Sequence, residues 1–324
     1  MKKLPIDFFW EPNKINVSPR KDSPKVIFLT SETGVEALEV ALRKGLDVEK
    51  VISEDRGPVK RFARVNNIPF EGLNEKTDLT SQGLGKSIDY AIVAFTDYIV
   101  PADSVAEHTG RIVGAHVSDL TKAEFRGGYP LEAALLDDKK STSIVTFLIN
   151  ERIDEGPVLM RQRFYLTSAY EALGGTASSL YGRAASTAGE LLAKTLFNIK
   201  RLSSNAQEQK GEPTYAKPLK QEDLTVNWGE HTAQHIINMF RAGERVYTRF
   251  KGSMVKIGYI GQFRSKLPRG TSPGEIFVNG KVCVATEDGK ALILSNAKFT
   301  SERYGNLEGY LRTDYFLHQK PTFG

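Results

Sequence analysis

The sequence predicts an α/β protein in two parts, a doubly wound parallel sheet followed by a small β-barrel. Three observations carry this reading. Lys25 to Thr30 (KVIFLT) is a continuous apolar run, the pattern of a strand buried on both faces of a parallel sheet. Strand-like and helix-like segments then alternate to about residue 200, which predicts right-handed crossovers around one sheet. From Met254 onward the pattern changes to short β-type runs separated by glycine turns.

A chain of 324 residues has room for two cores. Its 40% hydrophobic and 26% charged content is that of an ordinary globular protein, which excludes collagen-like and disordered classes. Cys283, the single cysteine, lies in the alternating run VCVAT and reads as a small core residue. One cysteine rules out an internal disulfide and suits a reducing compartment. A cytoplasmic location is therefore expected, with the mitochondrial matrix as the alternative, and a monomer is expected. No stretch reaches eighteen consecutive apolar residues, so no membrane-spanning helix and no membrane partner are expected. Residues 1–23 begin with two lysines but are broken at Pro5 and Asp7, a poor secretory signal, and read as an irregular extension.

Within the first part, Gly34 opens a helical pattern that places Val35, Leu38, Ala41 and Leu42 on one face and ends near Gly45. Val48 to Ile52 is the next strand. The turn between them, Ser31-Glu32-Thr33-Gly34, lacks the glycine spacing of a dinucleotide site, so NAD is not expected. Gly57-Pro58 enters a second helix, Asp89 to Ala94 is a further strand, and Pro101 to His108 reads as a short helix.

The chemistry concentrates between Gly114 and Leu159. His116 closes the apolar run that contains Ile112 and Val113, and a polar loop with Arg126-Gly127-Gly128 and Pro130 follows. Thirty-eight residues after the histidine, Asp154 follows a second β-type run, Ser143 to Ile149. Two consecutive parallel strands would set both side chains at the carboxyl edge of the sheet, where open α/β folds build their sites. A carboxylate facing an imidazole there suits acid–base or oxyanion chemistry. Taken alone, such a pair is more often a structural contact.

The surrounding residues change that balance. His116, Ser118, Leu120, Arg126, Gly127, Pro130, Asp154, Gly156 and Pro157 stand in the order and at the positions of the signature of the N10-formyltetrahydrofolate-dependent formyltransferases, which this stretch resembles. Two departures stand out. The family's asparagine is Gly114 here, and its Ser-Leu-Leu-Pro loop reads Ser118-Asp119-Leu120-Thr121. The resemblance resumes at Thr214-Tyr215-Ala216-Lys217 and at Asp223, Val226-Asn227-Trp228, Ile236 and Arg241-Ala242. Matches in both halves point to the methionyl-tRNA branch of the family.

The resemblance implies a Rossmann-like catalytic domain at 24–202, a linker at 203–213 and an OB-like barrel domain at 214–324. It implies His116 and Asp154 as the catalytic pair: the protonated histidine would stabilise the oxyanion, and the aspartate would hold it charged. N10-formyltetrahydrofolate is implied as co-substrate, with Phe95, Thr96, Asp97 and Ile99, the loop Ser118 to Thr121, and Asn150, Glu151, Arg152 and Ile153 around it. Transfer to the amine of methionyl-initiator tRNA is implied, with Arg126, Arg264, Lys266 and Arg269 toward the acceptor. An amino sugar on a nucleotide, or a non-catalytic homologue that binds tRNA or folate, stays open as an alternative.

The residues themselves supply some of this. After Tyr165 a helical region runs from Ala177 to Leu202, with Leu180, Ala184, Leu191, Leu192 and Leu196 at core spacing. Residues 203–213 (SSNAQEQKGEP) are polar and read as a connection between domains. Asn279-Gly280 and Asp288-Gly289 are hairpin turns between apolar runs. His231 and His235 share a helical spacing without the glutamate of a zinc-protease motif, and no metal is expected. Charge is uneven: residues 1–200 carry 26 basic and 27 acidic side chains, residues 201–324 carry 18 and 12. Nine of the basic residues fall in 241–281 against Glu244 and Glu275, which is either a solvated surface or a face for a polyanion.

Overall fold

The computed structural model describes residues 12–73, 84, 88–167, 175–263, 267, 269–278 and 281–300. The chain forms two compact units. The first holds Met1–Pro130, Thr142–Phe164 and Tyr181–Ala216; the second holds Leu131–Ser141, Tyr165–Leu180 and Lys217–Gly324.

A seven-stranded sheet forms the first unit. Its strands are β1 (Lys25–Leu29), β2 (Asp47–Glu54), β3 (Phe70–Leu73), β4 (Tyr90–Ala94), β5 (Ile112–His116), β6 (Ser141–Leu148) and β7 (Val158–Tyr165), in the order β3-β2-β1-β4-β5-β6-β7. The apolar run at β1 is buried on both faces, as its composition predicts. Val26 and Phe28 enter one core with Leu38, Phe62 and Leu192, while Ile27 and Leu29 enter another with Ile52, Ala91 and Ile112. Each such side chain contributes about 1.5–3 kcal/mol by leaving water. Helices α1 (Val35–Arg43) and α2 (Gly57–Val65) complete the βαβ start, and α3 (Ala102–Glu107) leads into β5.

Strands β3 to β5 are parallel to their neighbours, but β6 runs antiparallel to β5, with His116 opposite Val145 and Val113 opposite Leu148. The expectation of two consecutive parallel strands is therefore corrected. A parallel return needs a crossover helix packed on the sheet. Here the connection carries a loop and the seven-residue α4 (Pro130–Leu136), and Leu131–Ser141 packs into the second unit instead. The later helical region breaks at Asn198 into α5 (Ala177–Phe197) and α6 (Ile199–Ser203). Leu180, Ala184, Leu191, Leu192 and Leu196 are all buried.

In the second unit, β8 (Val246–Phe250), β9 (Ser253–Phe263), β10 (Ile276–Val278), β11 (Val282–Ala285) and β12 (Ala291–Phe299) make an antiparallel sheet in the order β10-β11-β12-β9-β8. The two end strands do not pair with each other among the described residues, so the expected barrel is an OB-like half-barrel. Helix α7 (Ala233–Gly243), capped by the Thr232 hydroxyl on the His235 N–H, lays Ile236, Ile237 and Phe240 into a core with Trp228, Val255, Ile257 and Leu292. Buried Trp228 donates its indole N–H to the Thr248 hydroxyl at 2.9 Å. The Asp288-Gly289 turn joins β11 to β12 as expected, whereas Asn279-Gly280 lies outside the described residues. Cys283 is fully buried, and burial pushes its thiol up to about 11, so it acts as an unreactive core residue. No helix among the described residues is long and apolar enough to cross a membrane.

Candidate active site

The site is built on the end of β5. His116 is buried there, and its Nε2 donates to the Phe125 carbonyl at 2.8 Å. Its Nδ1 faces the Asp154 carboxylate at 3.7 Å. The predicted pair is thus brought together, but by the β6–β7 connection rather than by two parallel strands. Asp154 is held in place by two backbone features. The Gly127 N–H donates to its Oδ2 at 2.8 Å, and its own backbone adopts a left-handed φ of +55°. Aspartate is among the few non-glycine residues that tolerate that conformation. Gly156 explains the glycine of the motif: a Cβ there would stand 1.6 Å from the Leu148 carbonyl oxygen.

Gly114 is filled rather than empty. Across the β5–β6 ladder it pairs with Phe147, and a Cβ added at Gly114 would lie 2.5 Å from Phe147 Cε1 and 3.2 Å from Ile149 Cγ1. The aromatic ring covers the glycine expected to stand at the asparagine position of the motif. An apolar ring donates no hydrogen bond to an oxyanion, and the glycine and the phenylalanine pack as one unit.

The loop after β5 is turned inward. The Ser118 hydroxyl donates to the Glu124 carbonyl at 2.6 Å, and Leu120 packs with Val145, Phe147 and Val158. Asp119, only 4% exposed, accepts from the Thr121 hydroxyl and pairs with Arg161 at 3.2 Å. These four side chains, expected around the folate, make contacts that hold the loop together. The Asp119–Arg161 pair joins two residues that no motif or spacing in the chain connects.

A cavity of about 550 Å³ opens at the β6–β7 connection, and neither His116 nor Asp154 is among its lining residues. Three of the expected cofactor residues, Asn150, Glu151 and Arg152, line it together with Arg126, Ile149 and Glu155. Ile153 and Phe95 to Ile99 are not among its lining residues. Ile153 is exposed; the Phe95 carbonyl accepts from the Ser31 N–H at 3.1 Å, and the Thr96 hydroxyl accepts from the Tyr98 N–H. Arg126, expected to face the acceptor, is buried at the cavity wall with its guanidinium on Glu155 (2.9 Å) and Gln209 (2.8 Å). It therefore braces the loop. Of the expected acceptor residues in the second unit, Arg269 is exposed, while Arg264 and Lys266 lie outside the described residues.

Sequence reasoning missed Phe147, Glu155 and Gln209, and it gave Gly127 no contact with Asp154. Gln209 lies in the polar stretch read as a linker, and nothing in its composition marks it. That stretch is tied to the first unit: Gln207 exchanges two backbone hydrogen bonds with Val158, and Lys210 N–H reaches the Thr121 carbonyl. His231 and His235 have separate partners, the Asn227 N–H and Asp138 respectively. Among the described residues no group of three or more histidine, cysteine or acidic side chains has metal-site geometry.

Comparison with known proteins bears on this geometry directly. Residues 218–313 match the family model described as formyl transferase, C-terminal domain. The methionyl-tRNA formyltransferase of Thermosipho africanus is 30% identical over 249 residues, which is 72% of this chain and 78% of that one. The chain belongs to the formyltransferase family. The methionyl-tRNA formyltransferase of Pelotomaculum thermopropionicum is 28% identical over 83% of this chain and 88% of its own length. The fold is also that of the N-formyltransferase from Helicobacter canadensis, solved with folinic acid and dTDP-3-aminofucose: TM-score 0.60, 18% identity, 84% of this chain and 99% of that chain. This formyltransferase is most like the methionyl-tRNA members.

Proposed function

We propose that this formyltransferase moves the formyl group of N10-formyltetrahydrofolate to the amine of methionyl-initiator tRNA. The observation that carries the reaction is the His116–Asp154 pair, with the carboxylate fixed by the Gly127 N–H. The co-substrate supplies the activated formyl carbon. During transfer a carbon–nitrogen bond forms to the acceptor amine, the bond to the folate nitrogen breaks, and one proton passes from the amine to that nitrogen. His116 presents two ring nitrogens for this task. Its Nε2–H exchanges the Phe125 carbonyl for the developing oxyanion, and its Nδ1 faces Asp154, through which the proton is relayed. Asn150, Glu151 and Arg152, three of the residues the family resemblance places around the folate, line the cavity beside apolar Ile149.

Support for the tRNA acceptor comes from two sides. The curated relatives that match over most of their length carry methionyl-tRNA formyltransferase names. In the second unit, the β8–β9–β12 register aligns Tyr247, Lys256 and Lys298, and Arg249 follows on β8. Arg249, Lys256 and Lys298 are exposed, a cationic row with an aromatic neighbour that suits phosphates. Arg241 is not part of it, being buried with its guanidinium on Asn238 and the Gly175 carbonyl. The test is mass spectrometry of charged initiator tRNA and of nucleotide-linked amino sugars after incubation with N10-formyltetrahydrofolate. Formyl-methionine on the tRNA is expected. Formylation of the sugar alone would replace the acceptor, and no formylated product would remove the reading.

A further inference from the structure

The side chain of Gln209 uses its full hydrogen-bonding capacity on the active-site loop. Its Nε2 donates to the Asp154 carbonyl at 2.7 Å and to the Gly156 carbonyl at 2.9 Å. Its Oε1 accepts from Arg126 Nη2 at 2.8 Å and Nε at 3.2 Å. Arg126 in turn reaches Glu155, between the two carbonyls, at 2.9 Å. One amide thus grips the loop on both sides of Glu155, and the guanidinium holds the middle.

The backbone around Gln209 is fixed well enough to serve as an anchor. Gln207 is paired with Val158 through two bonds of 2.8 Å, and Lys210 N–H reaches the Thr121 carbonyl at 3.1 Å. Further along, Thr214 bonds Ala123, Phe125 and Arg126, and Ala216 returns to Arg126 at 2.7 Å. The segment is a strap across the loops that carry Phe125 and Gly127, the groups that touch His116 and Asp154. Asp154 sits at a left-handed φ of +55°, and the Gln209 amide holds its carbonyl and that of Gly156. An amide is the side chain that can donate twice to carbonyls while accepting from a guanidinium; a carboxylate or a thioether cannot.

We propose that Gln209 is a positioning residue for Asp154. It holds the loop at 154–156 so that the Asp154 carboxylate stays on the Gly127 N–H and in front of His116. The inference rests on the formyl-transfer reading and adds a residue outside the family motif to its machinery.

The test is single-turnover formyl transfer in the full chain, with unfolding midpoints measured alongside. Gln209→Met removes all four hydrogen bonds at similar volume. Gln209→Glu keeps the acceptor for Arg126 and removes only the two donors. Both should lower the rate about tenfold or more, since small misplacements of a reacting group carry penalties of that size. In an Asp154→Asn background, Gln209→Met should lower the rate by less than about twofold, because the group it positions is already gone. The same loss in both backgrounds would mean a merely structural role and would overturn the proposal. So would a Gln209→Glu variant with the native rate. If Asp154→Asn alone is as active as the native protein, it is the formyl-transfer reading that fails, and Gln209 falls with it; a slow Asp154→Asn with an unaffected Gln209→Met sinks only Gln209.

Discussion

Replacing Gly114 and Phe147 singly and together tests how the ring packs on the glycine beside His116. A Cβ at Gly114 would lie 2.5 Å from Phe147 Cε1 and 2.6 Å from Cζ, well inside van der Waals contact. The ring has little room to retreat, being buried against Leu120, Val145 and Val158. Gly114→Ala should therefore cost about 1–3 kcal/mol from overpacking. The gain of about 0.5–1 kcal/mol from replacing glycine in a strand is too small to reverse the sign. Phe147→Ala should cost about 3–5 kcal/mol through the loss of apolar burial and the cavity left behind. In Gly114→Asn with Phe147→Ala, the new side chain occupies part of the vacated volume. The double variant should therefore be more stable than the sum of its singles by about 1–2 kcal/mol. Denaturant unfolding of the four proteins of the Asn cycle, with shared slopes, measures this directly. Additivity within about 0.5 kcal/mol would show that the ring and the glycine are independent, and would refute the coupling.

Other perturbations follow from the same geometry. Gly156→Ala forces a backbone clash with the Leu148 carbonyl. It should cost at least about 2 kcal/mol in chemical denaturation and abolish formyl transfer together. Asp288 is drawn upward by burial, but Lys290, the Ala233 N–H and the Thr286 hydroxyl outweigh this and hold it down, to about 2 from the ordinary 3.8. A lowered carboxylate stabilises above its unfolded pKa and loses that contribution as pH falls toward the folded one. Asp288→Asn should thus cost about 1 kcal/mol at neutral pH, with the gap in unfolding midpoint closing between about pH 4 and pH 2. Replacing Arg249, Lys256 and Lys298 together by alanine should weaken tRNA binding and reduce its salt slope by about one for each phosphate no longer neutralised. An unchanged slope would exclude that face.

The sheet of the first unit was legible because burial on both faces writes a continuous apolar run. Val26 to Leu29 feeds two cores with alternate residues, and the helices around it show their faces at regular spacing. The pairing of His116 with Asp154 was also legible, through the order of the motif. The direction of β6 was not. Ser143 to Ile149 reads the same in either orientation, and only the departure of Leu131–Ser141 into the second unit decides it. Gln209 was hidden for a different reason. Polar residues that bond to carbonyls of a distant loop have the composition of a solvated linker, and their partners are separated from them by more than fifty residues. Phe147 was invisible as a site residue because its role is to fill the space that Gly114 leaves, which requires knowing that the two face each other.

The role of His116 and Asp154 is decided by the rate of formyl transfer from N10-formyltetrahydrofolate to methionyl-initiator tRNA, measured for the native chain, His116→Ala and Asp154→Asn at saturating tRNA. The pair acts as a unit, so each substitution should reduce the single-turnover rate by about 10²-fold or more, with the double variant little worse than either single. A native rate with His116→Ala or Asp154→Asn undiminished would contradict the assignment of this site.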